Sequence, residues 1–186
     1  MFRALALPAL AAAALLLPGC LDTHNHEPAQ TTNAYVDLRE SPIRGLTPAE
    51  IDELRSGGGM GLALPAELNG YPGPKHVLDL ADQLSLDAAT KAAFQSLYER
   101  TQEAARAAGA RVLSAHESLD QAFRTGAIDE DSLTSRTVEL GVALGELRRV
   151  HLAAHLEAYD LLTPHQRALY MEYRGYGAAD HGQHEH

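Results

Sequence analysis

Apolar and small side chains recur every three or four residues along two long stretches of the chain. The first stretch runs from Asp87 to about Thr125, contains no proline and is followed by Gly126, so it predicts one long helix that ends at the glycine. The second carries such residues from Leu133 to Leu161 at alternating spacings of four and three, which is typical of a coiled-coil seam. Because only a short turn joins them, the two helices are expected to lie antiparallel.

Capping signals mark shorter helices on either side of this hairpin. Thr47-Pro48-Ala49-Glu50 is a capping box with proline at the first helical position, and Gly57 is placed to end that helix. Further short helices are expected over 75–84 and from Pro164 to about Tyr173. Since no alternating strand pattern occurs, the sequence predicts an all-α domain over residues 47–173, a long antiparallel helical hairpin with shorter helices packed at its open end.

The first nineteen residues have the pattern of a secretory signal peptide. Arg3 precedes an uncharged apolar run, Ala4 to Leu17, which is too short to span a bilayer but fits the apolar region of such a signal. The segment ends in Leu17-Pro18-Gly19-Cys20, which resembles the lipobox of bacterial lipoproteins. That resemblance implies cleavage before Cys20 and acylation of its thiol and new amine, a lasting membrane anchor. The alternative is an ordinary cleaved signal followed by a chance cysteine.

The residues that flank the helical domain are polar and aperiodic. Residues 20–46 are predicted to be a flexible tether between the membrane and the domain, and residues 174–186 a disordered, histidine-rich tail. The lipobox resemblance implies a position on the periplasmic side of the cell envelope. Leu21 after the cysteine implies the outer membrane of a Gram-negative cell.

Composition and motifs exclude several classes of function. The net charge of −10 argues against nucleic acid as a partner, because binding to phosphates needs a basic surface. Cys20 is the only cysteine, so its acylation leaves no thiol for disulfides or catalysis. No nucleophile elbow, Ser-His-Asp arrangement or phosphate-binding loop is present. We therefore expect that the protein is not an enzyme.

Two histidines of the second long helix are candidate metal ligands. His151 and His155 lie one helical turn apart, so their imidazoles project from the same face and can share an ion. His151 also occupies a seam position, facing Ala105, where a polar side chain is costly without a partner. The alternative is a boundary histidine that is hydrogen-bonded to a carboxylate.

Antiparallel pairing suggests which residues complete such a site. If the hairpin places His155 opposite Thr101, Glu99 and Glu103 lie within a turn of the histidine pair. His76, on the preceding short helix, is placed to close the site from outside. A set of imidazole and carboxylate ligands suits a divalent transition metal, zinc, nickel, cobalt or copper, and their spacing does not select among these metals.

The tail carries a second group of histidines, His181, His184 and His186, near Asp180 and Glu185. Histidine-rich flexible segments bind divalent metals weakly, because ordering them costs entropy. We expect weak metal capture there; the alternative is an expression tag.

One motif resembles a known family. Leu162-Thr163-Pro164-His165-Gln166 matches the Leu-Thr-x-x-Gln motif of the Spy/CpxP family of periplasmic proteins, and Leu86-Asp87-Ala88-Ala89-Thr90 is a degenerate counterpart. Together with export, the long hairpin and the histidine-rich end, the chain looks like this superfamily, which includes heavy-metal sensors of the CnrX type and zinc-binding proteins of the ZraP type. Two departures from the sensors are Leu80, where a second histidine is expected, and His155, where the sensors have methionine.

The resemblance implies a homodimer formed through the hairpins and a choice of functions. The first is a metal-responsive or envelope-stress lipoprotein that binds transition metals and acts through a stress-signalling protein. The alternative is an ATP-independent chaperone that holds unfolded clients, and a purely structural lipoprotein is a third reading. An acidic, alanine-rich hairpin offers little large apolar surface for clients, and the tether suits a stationary sensor. The sequence therefore favours the metal-responsive function.

Overall fold

The computed structural model describes residues 35–176 of the chain. Within this range it contains a 3₁₀ helix, Asp37–Arg39, and no strand, which confirms the predicted all-α class. The α-helices are α1 (Pro48–Ser56), α2 (Leu64–Glu67), α3 (Pro74–Asp79), α4 (Ala88–Thr125), α5 (Glu130–Leu161) and α6 (Pro164–Tyr173). Over the same residues, no helix combines the length and the apolar character that a membrane span requires.

The two long helices form the predicted hairpin. Asp87 caps α4 by accepting a hydrogen bond from the Thr90 backbone N–H at 2.7 Å, and Gly126 ends the helix in the left-handed conformation, with φ at 68°. An ion pair between Arg100 Nη2 and Glu157 Oε1 at 2.6 Å joins α4 to α5. Its position agrees with the antiparallel register expected from the turn.

The shorter helices pack against the hairpin in two groups. Helix α1, with the segment before it, packs on the middle of α4 and α5, and its core residues are Ile43, Leu46, Ile51, Leu54, Ala105, Ala108, Val112, Ala143 and Leu147. Helices α3 and α6 pack at the open end, where the core residues are Val77, Leu84, Phe94, Leu97, Ala154, Ala158, Leu162 and Tyr170. The second group holds the candidate site.

Three details differ from the sequence prediction. Ile43 and Leu46 are buried in the core, so the packed domain begins before residue 47 and residues 41–46 do not belong to the predicted tether. Helix α3 ends at Asp79 rather than at residue 84, because the chain turns there and carries Leu84 into the core. Helix α2 is too short for a periodic pattern to reveal it.

A glycine permits the close contact between α1 and α4. A Cβ placed on Gly109 would overlap the carbonyl oxygen of Leu54 and lie 3.0 Å from its carbonyl carbon. Because both atoms belong to the backbone of α1, a side-chain rotation cannot relieve this contact. Gly145, in the middle of α5, has open space around the same position.

We predict opposite effects for two glycine substitutions. Gly109→Ala forces α1 away from α4, and we expect it to lower the free energy of unfolding by about 1–3 kcal/mol, as overpacked sites do. Gly145→Ala is expected to raise that free energy by about 0.5–1 kcal/mol, because alanine favours the helix more than glycine. Urea unfolding followed by circular dichroism measures both. Equal effects of the two substitutions would contradict the close packing of α1 on α4.

Candidate functional site

The candidate site is built around a buried carboxylate at the open end of the hairpin. Glu67, the last residue of α2, is 4% exposed. Its Oε1 accepts a hydrogen bond from the Tyr170 hydroxyl at 2.6 Å and another from Arg174 Nε at 3.1 Å. A buried carboxylate needs such partners, since removal from water is costly for a charged group. One side of this carboxylate is therefore fully engaged.

Three histidines approach the carboxylate from two other helices. Two are His151 and His155, one turn apart on α5, and the third is His76 on α3. The Nδ1 atom of His76 lies 3.6 Å from Glu67 Oε1, and that of His155 lies 3.8 Å from Glu67 Oε2. His151 is 8% exposed and, like His76 and His155, lines two cavities that are described below.

The space between these groups is kept open by Gly73. A Cβ on this glycine would lie 3.2 Å from His155 Cε1, 3.3 Å from His76 Nδ1 and 3.4 Å from Glu67 Oε2. Atoms of three potential ligands thus surround a single point that is free only because residue 73 has no side chain. The preceding loop and α3 meet at this point, since Gly73 is the N-cap of α3.

Two cavities of about 210 Å³ each adjoin this point. Both are lined by His76, His151, His155 and Gly59. One cavity extends toward α4, where Thr101 and Gln102 line it; the other extends toward Glu67, Arg174 and Tyr176. The three histidines therefore form the boundary between the two cavities.

Several polar atoms here are buried without a hydrogen-bond partner in the described part of the chain. They are Glu67 Oε2, His76 Nδ1 and His151 Nε2. Each such atom costs about 1–3 kcal/mol, and buried polar atoms in folded proteins are normally satisfied. All three carry lone pairs when the histidines are neutral, with protons on the opposite ring nitrogens, so each can accept a hydrogen bond or bind a cation.

Burial keeps two of these histidines neutral. Burial lowers the pKa of His151, and repulsion from His155 lowers it further, although the nearby backbone of Gly58 acts in the opposite direction. Burial also lowers the pKa of His76, as does the nearby Arg174, while Glu67 partly opposes both. Since the usual histidine pKa is about 6.5, both rings are uncharged at neutral pH, as metal ligation requires.

The remaining histidine is oriented by the backbone. His155 Nδ1 lies 2.8 Å from the carbonyl oxygen of Tyr71. Because a carbonyl only accepts, Nδ1 carries a proton, so the neutral form of this ring has its lone pair on Nε2. Metal-binding histidines are commonly fixed in this way by a hydrogen bond from the other ring nitrogen.

The structure brings together three of the residues expected from sequence and leaves two apart. His76, His151 and His155 share one site, whereas Glu99 and Glu103 are exposed and line neither cavity. Glu99 instead accepts a hydrogen bond from Gln95. Each glutamate is two residues from the site-lining Thr101, and side chains two apart on a helix point in nearly opposite directions.

Glu67, Gly73, Tyr170 and Arg174 were not expected from the sequence. Glu67 follows Pro65, and proline in the first turn is the one local signal for a short helix there. Cys20 and the tail histidines His181, His184 and His186 lie outside the described residues, as do the predicted signal peptide and most of the tether.

The side chains are not arranged as an assembled metal centre. Within residues 35–176 no group of three or more histidine, cysteine, aspartate or glutamate side chains is placed to hold an ion. Binding of an ion by these residues therefore requires some of their side chains to move.

Comparisons of this chain with protein-family models, with curated proteins and with solved structures found no match.

Proposed function

We propose that this protein binds a divalent transition-metal ion at the open end of its hairpin. The observation that carries the proposal is the meeting of Glu67 Oε2, His76 Nδ1 and the His155 ring at Gly73. His151, whose buried Nε2 has no partner, lines the same two cavities. His155 Nε2 supplies a fourth ligand. Three imidazoles and one carboxylate suit zinc, nickel, cobalt or copper(II), and the absence of sulfur from this set disfavours softer ions.

The positions of the proposed ligands indicate that metal binding would change the stability of the open end of the hairpin. They come from α2, α3 and α5, and α2 and α3 are helices of four and six residues. Helices this short depend on tertiary contacts. An ion that joins both to α5 stabilises the whole open end, and a signalling protein that contacts this surface can detect the change.

The N-terminal sequence pattern supports a position at the cell envelope. The signal peptide and the lipobox resemblance support export and acylation at Cys20. We therefore propose a metal-responsive lipoprotein that is held on the periplasmic side of a membrane and acts as a stationary sensor or metal buffer.

We predict tight metal binding that depends on the proposed ligands. The protein used is the full chain with the substitutions His181→Gln, His184→Gln and His186→Gln, which remove weak metal binding by the tail. Its affinity for Zn²⁺, Ni²⁺, Co²⁺ and Cu²⁺ is measured by titration calorimetry. We expect each chain to bind one ion. His151→Ala, His155→Ala and Glu67→Gln should each lower the metal affinity more than about 100-fold, since changes outside the ligand shell alone lower it about 10–100-fold.

Three further variants test the location of the site. His165→Ala, at an exposed position of α6, and Glu99→Gln should leave the affinity unchanged. Gly73→Ala removes no ligand but fills the space where the ligands meet, so it should weaken binding while circular dichroism shows that the helices remain. Equal, weak binding by all variants would sink the proposed site.

The membrane anchor is tested by one substitution. Cys20→Ala removes the thiol that the lipid would occupy, so we expect the protein to move from the membrane fraction to the soluble periplasmic fraction. Labelling with radioactive palmitate should be lost in parallel. A variant that still sediments with membranes and incorporates label would contradict acylation at this residue.

A second candidate function, holding unfolded clients, is favoured by an apolar stripe on α5. Val138 and Val142 are 60% and 67% exposed, and they lie one turn apart on the same face. An added Cβ at Gly141 also meets no atom within 4 Å. Exposed apolar surfaces, where they are extensive, bind clients or a second subunit.

We predict a specific effect if this stripe binds clients. The double variant Val138→Asn, Val142→Asn should lose protection in a client-aggregation assay, whereas Ala107→Asn, at an exposed position of α4, should retain it. Sedimentation velocity on the same samples detects the expected homodimer and any loss of it. Unchanged protection by the double variant would exclude the stripe as the client surface.

A further inference from the structure

One buried hydroxyl connects the parts of the proposed site. Tyr170 of α6 is fully buried, and its hydroxyl donates to Glu67 Oε1 at 2.6 Å. The Tyr170 hydroxyl oxygen also accepts a hydrogen bond from the Gly73 backbone N–H at 3.2 Å. Both hydrogen-bonding roles of the phenol are therefore used within the site.

The two partners of Tyr170 belong to different elements. Glu67 ends α2, whereas Gly73 caps α3, the helix that carries His76. The hydroxyl thus sets the distance between a carboxylate and the helix of a histidine. It also occupies Oε1, so that the free oxygen of Glu67 is Oε2, the one that lies among the histidines.

Arg174 strengthens this arrangement from the end of α6. Its Nε donates to the same Oε1 atom at 3.1 Å, and a hydrogen bond between two charged groups is stronger than one between neutral groups. Glu67 is therefore held by the Tyr170 hydroxyl, which belongs to α6, and by the guanidinium of Arg174, the C-cap residue of α6. The carboxylate keeps its orientation only while α6 is docked.

We propose that Tyr170 is the positioning residue of the metal site, and that docking of α6 and metal binding therefore stabilise one another. This inference rests on the proposed metal-binding function. Tyr170 does not contact the ion; it presents Glu67 Oε2 and aligns α3. Since coupling between two equilibria is reciprocal, an ion at the site must also hold α6 more firmly.

The chain offers its own spectroscopic reporter of this contact. It has no tryptophan and seven tyrosines, so its near-ultraviolet circular dichroism comes mainly from tyrosine. A cation at Oε2 withdraws charge from the carboxylate and weakens Oε1 as an acceptor for the phenol. Metal binding should therefore change the near-ultraviolet signal of Tyr170, whose ring is rigidly buried.

The test compares Tyr170→Phe with Tyr173→Phe, the same chemical change at a 53% exposed position of α6. Tyr170→Phe keeps the buried ring and removes only the hydroxyl. In full chains titrated with Co²⁺, we expect it to weaken binding about 10–100-fold, to alter the visible absorption of bound cobalt and to lose the metal-induced near-ultraviolet change. Tyr173→Phe should behave as the unaltered protein in all three measurements.

A second measurement needs no substitution at Tyr170. Amide hydrogen exchange of the unaltered chain, with and without Zn²⁺, should slow in α6 when the ion binds. Unchanged exchange in α6, or a Tyr170→Phe protein with unaltered affinity and cobalt spectrum, would overturn this inference while leaving the metal site intact. No binding by the unaltered chain would overturn the proposed function and this inference together.

Discussion

The buried carboxylate of Glu67 is the constraint around which the open end of the hairpin is organised. Withdrawal of a carboxylate from water is costly unless charged or hydrogen-bonding groups replace the solvent, and Tyr170 and Arg174 do so at Oε1. These partners lie 103 and 107 residues further along the chain. A four-residue helix is thereby tied to the last helix of the domain, and neither could hold this arrangement alone.

The other oxygen of the same carboxylate gives the site its chemical character. Oε2 has no hydrogen-bond partner among the described residues, and it lies with the imidazoles of His76 and His155 around Gly73. Burial both lowers the pKa of His76 and His151 and leaves their lone pairs unsatisfied. A rigid acceptor beside uncharged nitrogens is an environment that favours a cation, and this is the physical basis of the proposed metal site.

The histidines of the site could be predicted from the sequence because their relation is local. His151 and His155 share a face by helix periodicity alone, and the antiparallel hairpin follows from a short turn between two long helices. The choice of carboxylate could not be made in this way. Glu99 and Glu103 are near Thr101 in the chain, but the rotation per residue directs them to solvent. Glu67 instead ends a four-residue helix that is too short to show a periodic pattern.

Caps, glycine stops and apolar spacing act over a few residues, so the all-α class, the limits of α4 and the histidine pair follow from local patterns in the chain. Packing between distant segments was needed to show that Glu67 is buried, that Gly73 leaves room beside the histidines and that the Tyr170 hydroxyl contacts both Glu67 and Gly73. These features depend on which distant segments exclude water from the same volume. Burial is a property of the packed chain, and no local pattern of residues specifies it.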